Sequence, residues 1–212
     1  MSEAFEPPLC FVVGIGPGTG LAVARKFAAE GYRLAFSSRD RAKLDGYEKE
    51  IPGSRGYVYD VRDVAAAERV VAELRAGQGA PHVVVYNTGP GAFVDIDRAE
   101  VEDLQSAWEI NTRGLFAITK ALLPDLRAQR GANLIVMGAT ASWRGGAKAL
   151  PFASAIRARM SVTSDIVCAA SRGVASTWVR TASTSAPISA LPATVRARVS
   201  ARCSQVQASS FW

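Results

Sequence analysis

Short apolar runs alternate along the chain with stretches in which apolar residues recur at helical spacing. "LCFVVG" at 9–14 is a continuous apolar run closed by a glycine. "LAVARKFAAEG" at 21–31 then places Val23, Ala24, Phe27 and Ala28 three and four residues apart, and Gly31 stops the helix. "YRLAFSS" predicts a second strand and "DRAKLDGYEKE" a polar helix, with Asp40 at its cap. "GYVYDV" predicts a third strand, followed by a helix with Val64, Ala67, Val71 and Leu74 on one face. "HVVVYN" predicts a fourth strand and leads into the loop "TGPGAFVDI". A long helix follows, with Asp97 and Glu100 as a capping box and Val101, Leu104, Trp108, Leu115 and Leu122 on its inner face. "NLIVMG" predicts a fifth strand.

Strand and helix thus alternate five times. Several of the strands are uninterrupted apolar runs, as a parallel sheet covered on both faces requires. The pattern predicts an α/β fold: a doubly wound, Rossmann-like parallel sheet over residues 1–155, which binds ligands at the carboxyl ends of its strands.

The 212 residues, 49% of them hydrophobic, suffice for one domain with a substantial core. The longest apolar run is too short to span a bilayer, so no membrane association is expected. "MSEAFEPP" carries Glu3 and Glu6 and lacks a basic n-region, unlike a secretory signal. Cys10, Cys168 and Cys203 are odd in number and share no ligand spacing. They read as reduced thiols of a cytoplasmic protein, with Cys10 inside a buried strand. With His82 as the one histidine, a His-based zinc site is not expected. The net charge of +6 falls entirely after residue 150, where seven Arg stand against Asp165 alone, and residues 1–150 are neutral. A nucleic-acid partner for the whole protein therefore has no support.

The loop "VVGIGPGTGLAVA" joins strand one to helix one. Gly14, Gly16, Gly18 and Gly20 leave the backbone free to turn and let a phosphate approach its N–H groups at the positive end of the helix dipole. The spacing G-x-x-x-G-x-G resembles that of the short-chain dehydrogenase/reductase family, with Val13 where the family usually has Thr. Asp60 and Val61 after strand three resemble its adenine-contacting station. Asn87, Thr88 and Gly89 resemble its N-A-G motif, and Asn111 stands where the family keeps a catalytic Asn. The resemblance covers about residues 9–154 and implies an oxidoreductase transferring hydride between NAD(P)(H) and a small-molecule carbonyl or alcohol. At the end of strand two, "FSSRD" offers Ser38 and Arg39, which suit a 2′-phosphate through charge-assisted bonds. NADP is accordingly expected over NAD, with Asp40 left to cap the helix.

In that family a Tyr donates the proton, a Lys four residues on lowers the Tyr pKa, and a Ser about thirteen residues earlier polarises the carbonyl. The corresponding line is "GATASWRGGAKALPFASAIRARMS". Phe152 replaces the Tyr, Ile156 the Lys and Ala139 the Ser; Asn111 is retained. Thr140 and Ser142 are nearby hydroxyls that can take the Ser role, or else bond their own loop. The reading is of an impaired enzyme, with a non-catalytic dinucleotide-binding protein on the same fold as the alternative. Members of the family often pair through their fourth and fifth helices, so a homo-oligomer is also in view.

Residues 156–212 form an atypical Arg/Ser/Ala-rich segment. "SAIRARMSVTSDIVCAASRG" can form a helix with Ile156, Met160, Val167 and Val174 on one side, and "VASTWVR" can form a strand. Whether the family's usual last strands follow stays open. So does the origin of the segment: a shifted reading frame of GC-rich DNA, a basic segment for an acidic partner, or a diverged helix–strand finish.

Overall fold

The computed structural model describes residues 6–89, 93–129, 131–143, 148–170 and 175–179. Backbone contacts gather Met1–Arg180 into one compact unit, and Thr181–Trp212 form the other. The basic stretch after 180, Cys203 and anything that follows the sixth strand lie outside the described residues, as do the side chains of Val167 and Cys168.

Six parallel strands stand in the order β3-β2-β1-β4-β5-β6: β1 Leu9–Val13, β2 Arg33–Ser38, β3 Arg55–Val58, β4 Val83–Tyr86, β5 Asn133–Met137 and β6 Ala175–Val179. The five strands read from the apolar runs are all present, and "VASTWVR" supplies the sixth. Strand β1 is the centre of the sheet. Its five side chains are fully buried, because helices cover both faces. One core lies between the sheet and the helices α3 (Val64–Gln78) and α5 (Gly114–Ala128). The other lies against α1 (Thr19–Ala29) and α2 (Arg41–Glu50). Each fully buried Leu, Val or Phe stabilises this packing by roughly 1.5–3 kcal/mol.

The long helix predicted after β4 is broken. It comprises α4 (Val101–Trp108), a π-helical turn at Glu109–Arg113, and α5. The capping box joins Glu100 to Asp103, whose carboxylate accepts the Glu100 N–H at 3.1 Å; Asp97 belongs to a separate 3-10 turn at Ile96–Arg98. The inner face is also corrected. Leu115 and Leu122 are buried, but Val101, Leu104 and Trp108 are exposed. The π turn inserts an extra residue into the helical repeat, so one straight wheel cannot describe both halves. In α3, Val64 is exposed and Ala66 and Val70 complete the buried stripe.

The last described helix, α6, runs Leu150–Ala170 without a break across the compositional change at 155/156. Its buried positions include Ile156, Arg159 and Thr163, with Ile166 packed against the core; Met160 is only half-buried. The expected stripe through Met160 is thus rotated. An arginine and a threonine stand on the buried face, where an apolar pattern could not reveal it.

Candidate active site

The sheet order reverses at β1, so the connections that leave β1 and β4 run to opposite faces and frame a crevice outside the strands' carboxyl ends. The turn after β1 and the turn after β4 close its floor together. Asn87 donates its backbone N–H to Val13 O at 2.9 Å and its side-chain Nδ2 to Gly14 O at 2.9 Å. Gly14 is held at φ +87°, and its N–H donates to Ser37 O at 3.1 Å. A Cβ on Gly14 would stand 2.5 Å from Thr88 Cγ2, and one on Gly20 would stand 2.8 Å from Asn87 Nδ2. Gly14 and Gly20 therefore allow the two turns to meet. Gly16 and Gly18 differ: a Cβ on either would meet nothing within 4 Å.

That open side suits a diphosphate. Helix α1 starts from Gly18 with no side-chain cap and no acidic residue in its first turn. Helices α2 and α3 are capped by the Asp40 and Asp63 carboxylates. The uncapped amides and the dipole of α1 face the crevice as a cradle for an anion. A dinucleotide therefore fits the residues present.

Arg39 is exposed at the end of β2, and Ser38 Oγ accepts the Asp40 N–H at 3.4 Å. Asp40 is committed to α2, accepting the Ala42 and Lys43 N–H groups at 2.9 and 3.3 Å. Asp60 is gripped by Arg62, whose Nη2 lies 2.6 Å from Oδ2. The Arg62 hydrogen bonds hold the Asp60 carboxyl below its ordinary range, with smaller help from the charge of Arg39. Val61 is buried, and its carbonyl lies against Gly114.

At the other end, Asn111 lies in the π turn, fully buried. Its Nδ2 donates to Ala107 O at 2.8 Å, and its Oδ1 accepts from Arg159 Nη1 at 3.0 Å. Gly89 comes next to it: a Cβ there would stand 3.6 Å from Asn111 Oδ1 and 3.8 Å from Phe152 Cε2. Phe152 pairs with the exposed ring of Phe93 at 5.4 Å between centroids. Ile156 is buried one turn further along α6. Ser142 is buried, and its hydroxyl donates to Ala139 O at 2.7 Å within its own turn. Thr140 is exposed on that turn. The structure thus brings Gly89, Asn111 and Phe152 together, while the Ser142 hydroxyl serves its loop.

The sequence pattern missed some participants. Arg62 holds Asp60, and Arg159 reaches Asn111 from α6. Arg62 sits beside residues singled out by the motifs. Arg159 stands outside every motif, and its one signal is its spacing of three from Ile156 on a helix. A broad cavity of about 1290 Å³ lies elsewhere, at the starts of β2 and β3 and the end of α3, lined by Arg33, Arg41, Glu48, Arg55, Arg69 and Glu73. It runs along the β3 edge of the sheet, and Arg33, Arg41 and Arg69 already pair with Glu6, Glu48 and Glu73.

The model of the short chain dehydrogenase family matches residues 9–190. The chain belongs to this family. Among curated short-chain dehydrogenases, it is 30% identical over 139 residues to the NADP-dependent 3-hydroxy acid dehydrogenase YdfG of Escherichia coli K12, a match covering 64% of this chain and 56% of that one. The chain therefore spans little more than half the length of this curated relative. Among solved structures, an NAD+-bound xylitol dehydrogenase superposes with a TM-score of 0.79 at 21% identity, covering 90% of this chain and 74% of the other. The alcohol dehydrogenase of the archaeon Thermococcus sibiricus, complexed with 5-hydroxy-NADP, does so with a TM-score of 0.78 at 23% identity, covering 82% and 76%. Both likenesses show the fold.

Proposed function

We propose that this chain binds NADP(H) across the β1–β4 crevice and transfers hydride to or from a small carbonyl or alcohol only weakly. A bound nicotinamide supplies the hydride; the protein has to supply a proton beside the carbonyl oxygen. The observation that carries the impairment is the Phe152 ring against Gly89 and Asn111, where a hydrocarbon edge takes the place of a donor. Ile156 adds no cation to that wall. The preference for NADP rests on exposed Arg39 at the end of β2 and on Asp40 being consumed as a cap. The NADP dependence named for the Escherichia coli relative agrees with it.

The test is to titrate NADPH and NADH by cofactor fluorescence, then add a panel of ketones and aldehydes. NADPH binding with slow or no turnover is expected. Turnover at ordinary enzyme rates defeats the reading. The Phe152→Tyr, Ile156→Lys double change is expected to raise turnover by about 10²-fold or more.

The second reading is a dinucleotide-binding protein that does no chemistry. It is favoured by the committed polar groups: both ends of the Asn111 amide are bonded within the protein, as is the Ser142 hydroxyl. No turnover in wild type or in the double variant, with NADPH still bound, selects it. We also propose that the chain pairs with itself through the exposed apolar face of residues 101–116. Among the described residues, no helix is long and apolar enough to cross a membrane. A cytoplasmic setting is our reading of Cys10, which is buried in β1 with its thiol pKa pushed up by burial.

A further inference from the structure

Arg159 is a cation with no anion beside it among the described residues. Its side chain is 1% exposed and lies across the carboxyl ends of β4 and β5. Nη1 donates to Thr88 O at 2.6 Å and to Asn111 Oδ1 at 3.0 Å, and Nη2 donates to Met137 O. The guanidinium carbon stands 5.1 Å from the centre of the Tyr86 ring, and the buried Nε has no partner. Every acceptor is neutral. Among the described residues no carboxylate pairs with it, and the Tyr86 phenol beside it, its pKa pushed up to about 12 by burial, is neutral at neutral pH. Burial lowers its pKa to about 10, so it remains charged at neutral pH.

A buried charge without a counter-charge is expensive, and its field is poorly screened. This one lies under one half of the crevice. The exposed amides of the glycine turn and Arg39 occupy the β1–β2–β3 side, which leaves β4 and β5 to the second mononucleotide half. The two redox forms of a nicotinamide cofactor differ there in charge: the oxidised ring carries a positive charge and the reduced ring is neutral.

We propose that Arg159 makes the crevice select the reduced cofactor, by placing an uncompensated positive charge beneath the half that receives the nicotinamide. This rests on the NADP(H) reading above. It adds a residue that sets which redox form is held, through charge rather than contact. At an effective dielectric of ~20, one unit charge changes such a preference tenfold out to about 12 Å. Nearby Arg157 is exposed and donates to Ser142 O at 3.2 Å, so solvent weakens its share.

The experiment measures dissociation constants of NADPH and NADP+ on the full chain by calorimetry, for wild type, Arg159→Lys and Arg159→Met. Wild type is expected to bind NADPH at least about tenfold more tightly than NADP+. Arg159→Lys, which keeps the charge, is expected to hold most of that ratio. Arg159→Met, which keeps the length, is expected to lose most of it, chiefly through tighter NADP+ binding. A purely structural role for Arg159 would change both affinities together and leave the ratio alone. An unchanged ratio in a folded Arg159→Met protein overturns the proposal. Should that variant fail to fold, equal wild-type affinities for the two forms overturn it instead. If wild type binds neither form, the NADP(H) reading falls and takes this one with it; binding of both forms with an Arg159-independent ratio defeats this one alone.

Discussion

Four glycines look alike in the stretch 14–20, yet they serve two purposes. Gly14 adopts φ +87°, and its Cα hydrogens face Thr88; Gly18 faces open space at the uncapped start of α1. Gly14→Ala is expected to destabilise the protein by about 1–3 kcal/mol, because a Cβ in that backbone conformation is strained and also meets Thr88. Gly18→Ala is expected to leave the melting temperature nearly unchanged and to weaken NADPH binding. Thermal melts and cofactor titration of both variants check the division, and a Gly18 variant that binds NADPH as wild type does would contradict the cradle. The same contrast governs the candidate catalytic residues. Asn111 was legible as a polar residue at a family station, and Ser142 as a nearby hydroxyl open to the Ser role or to a bond within its own loop. That the Asn111 carbonyl is taken by Arg159, and the Ser142 hydroxyl by Ala139 O, depends on neighbours distant in sequence or on loop geometry.

At the scale of elements, apolar runs located β1 to β5, because both faces of a parallel sheet are buried and a short apolar run is sufficient signal. It failed at the long helix, where the π turn at Glu109–Arg113 changes the repeat and carries Asn111 into the site. Asn111 Nδ2 donates to Ala107 O, four residues back, and Thr112 Oγ1 donates to Ala155 O at 3.1 Å, tying the turn to α6. Strand β3 shows another device beyond the reach of periodicity. It is the edge of the sheet, and α2 closes it with two side chains. Gly56 N–H donates to Glu48 Oε1 at 2.6 Å, and Arg41 Nη1 donates to Gly56 O at 2.9 Å. The Glu48 carboxylate also meets Arg41 Nη2 at 2.6 Å. Glu48→Ala is expected to cost about 1–2 kcal/mol and to leave an open N–H at an exposed strand edge. Faster aggregation on heating, followed by light scattering, is the second readout. A variant as stable and as soluble as wild type would show that the edge needs no such cover.

For the whole molecule, the strand order 3-2-1-4-5-6 brings Gly14, Asn87 and the α1 terminus to one crevice and leaves the arginine-lined cavity at the β3 edge. It also leaves an apolar face in solvent. Val101, Leu104, Trp108 and Phe116 are 44–75% exposed along α4 and the start of α5, and Ile96 in the preceding 3-10 turn is exposed as well. A patch of this kind is unusual on a monomer. We therefore expect wild type to sediment as more than one 22.4 kDa chain, and Leu104→Glu with Trp108→Glu to sediment as a single chain. A monomeric wild type would remove the pairing proposal without touching the cofactor site.

The sequence by itself determined the α/β alternation, the five apolar strands, the glycine turn and the stations at Asp60, Asn87 and Asn111. These are local patterns, readable because burial on two faces and tight turns restrict residue type within a few positions. Tertiary structure alone decided which glycines face open space, which way α4 and α6 turn their faces, and that an arginine ends up buried beneath the crevice. Those outcomes depend on contacts such as Arg159 with Thr88 and Asn111, between residues 71 and 48 positions apart. No local pattern encodes the meeting of such distant residues; the packing of α6 against β4, β5 and the π turn creates it.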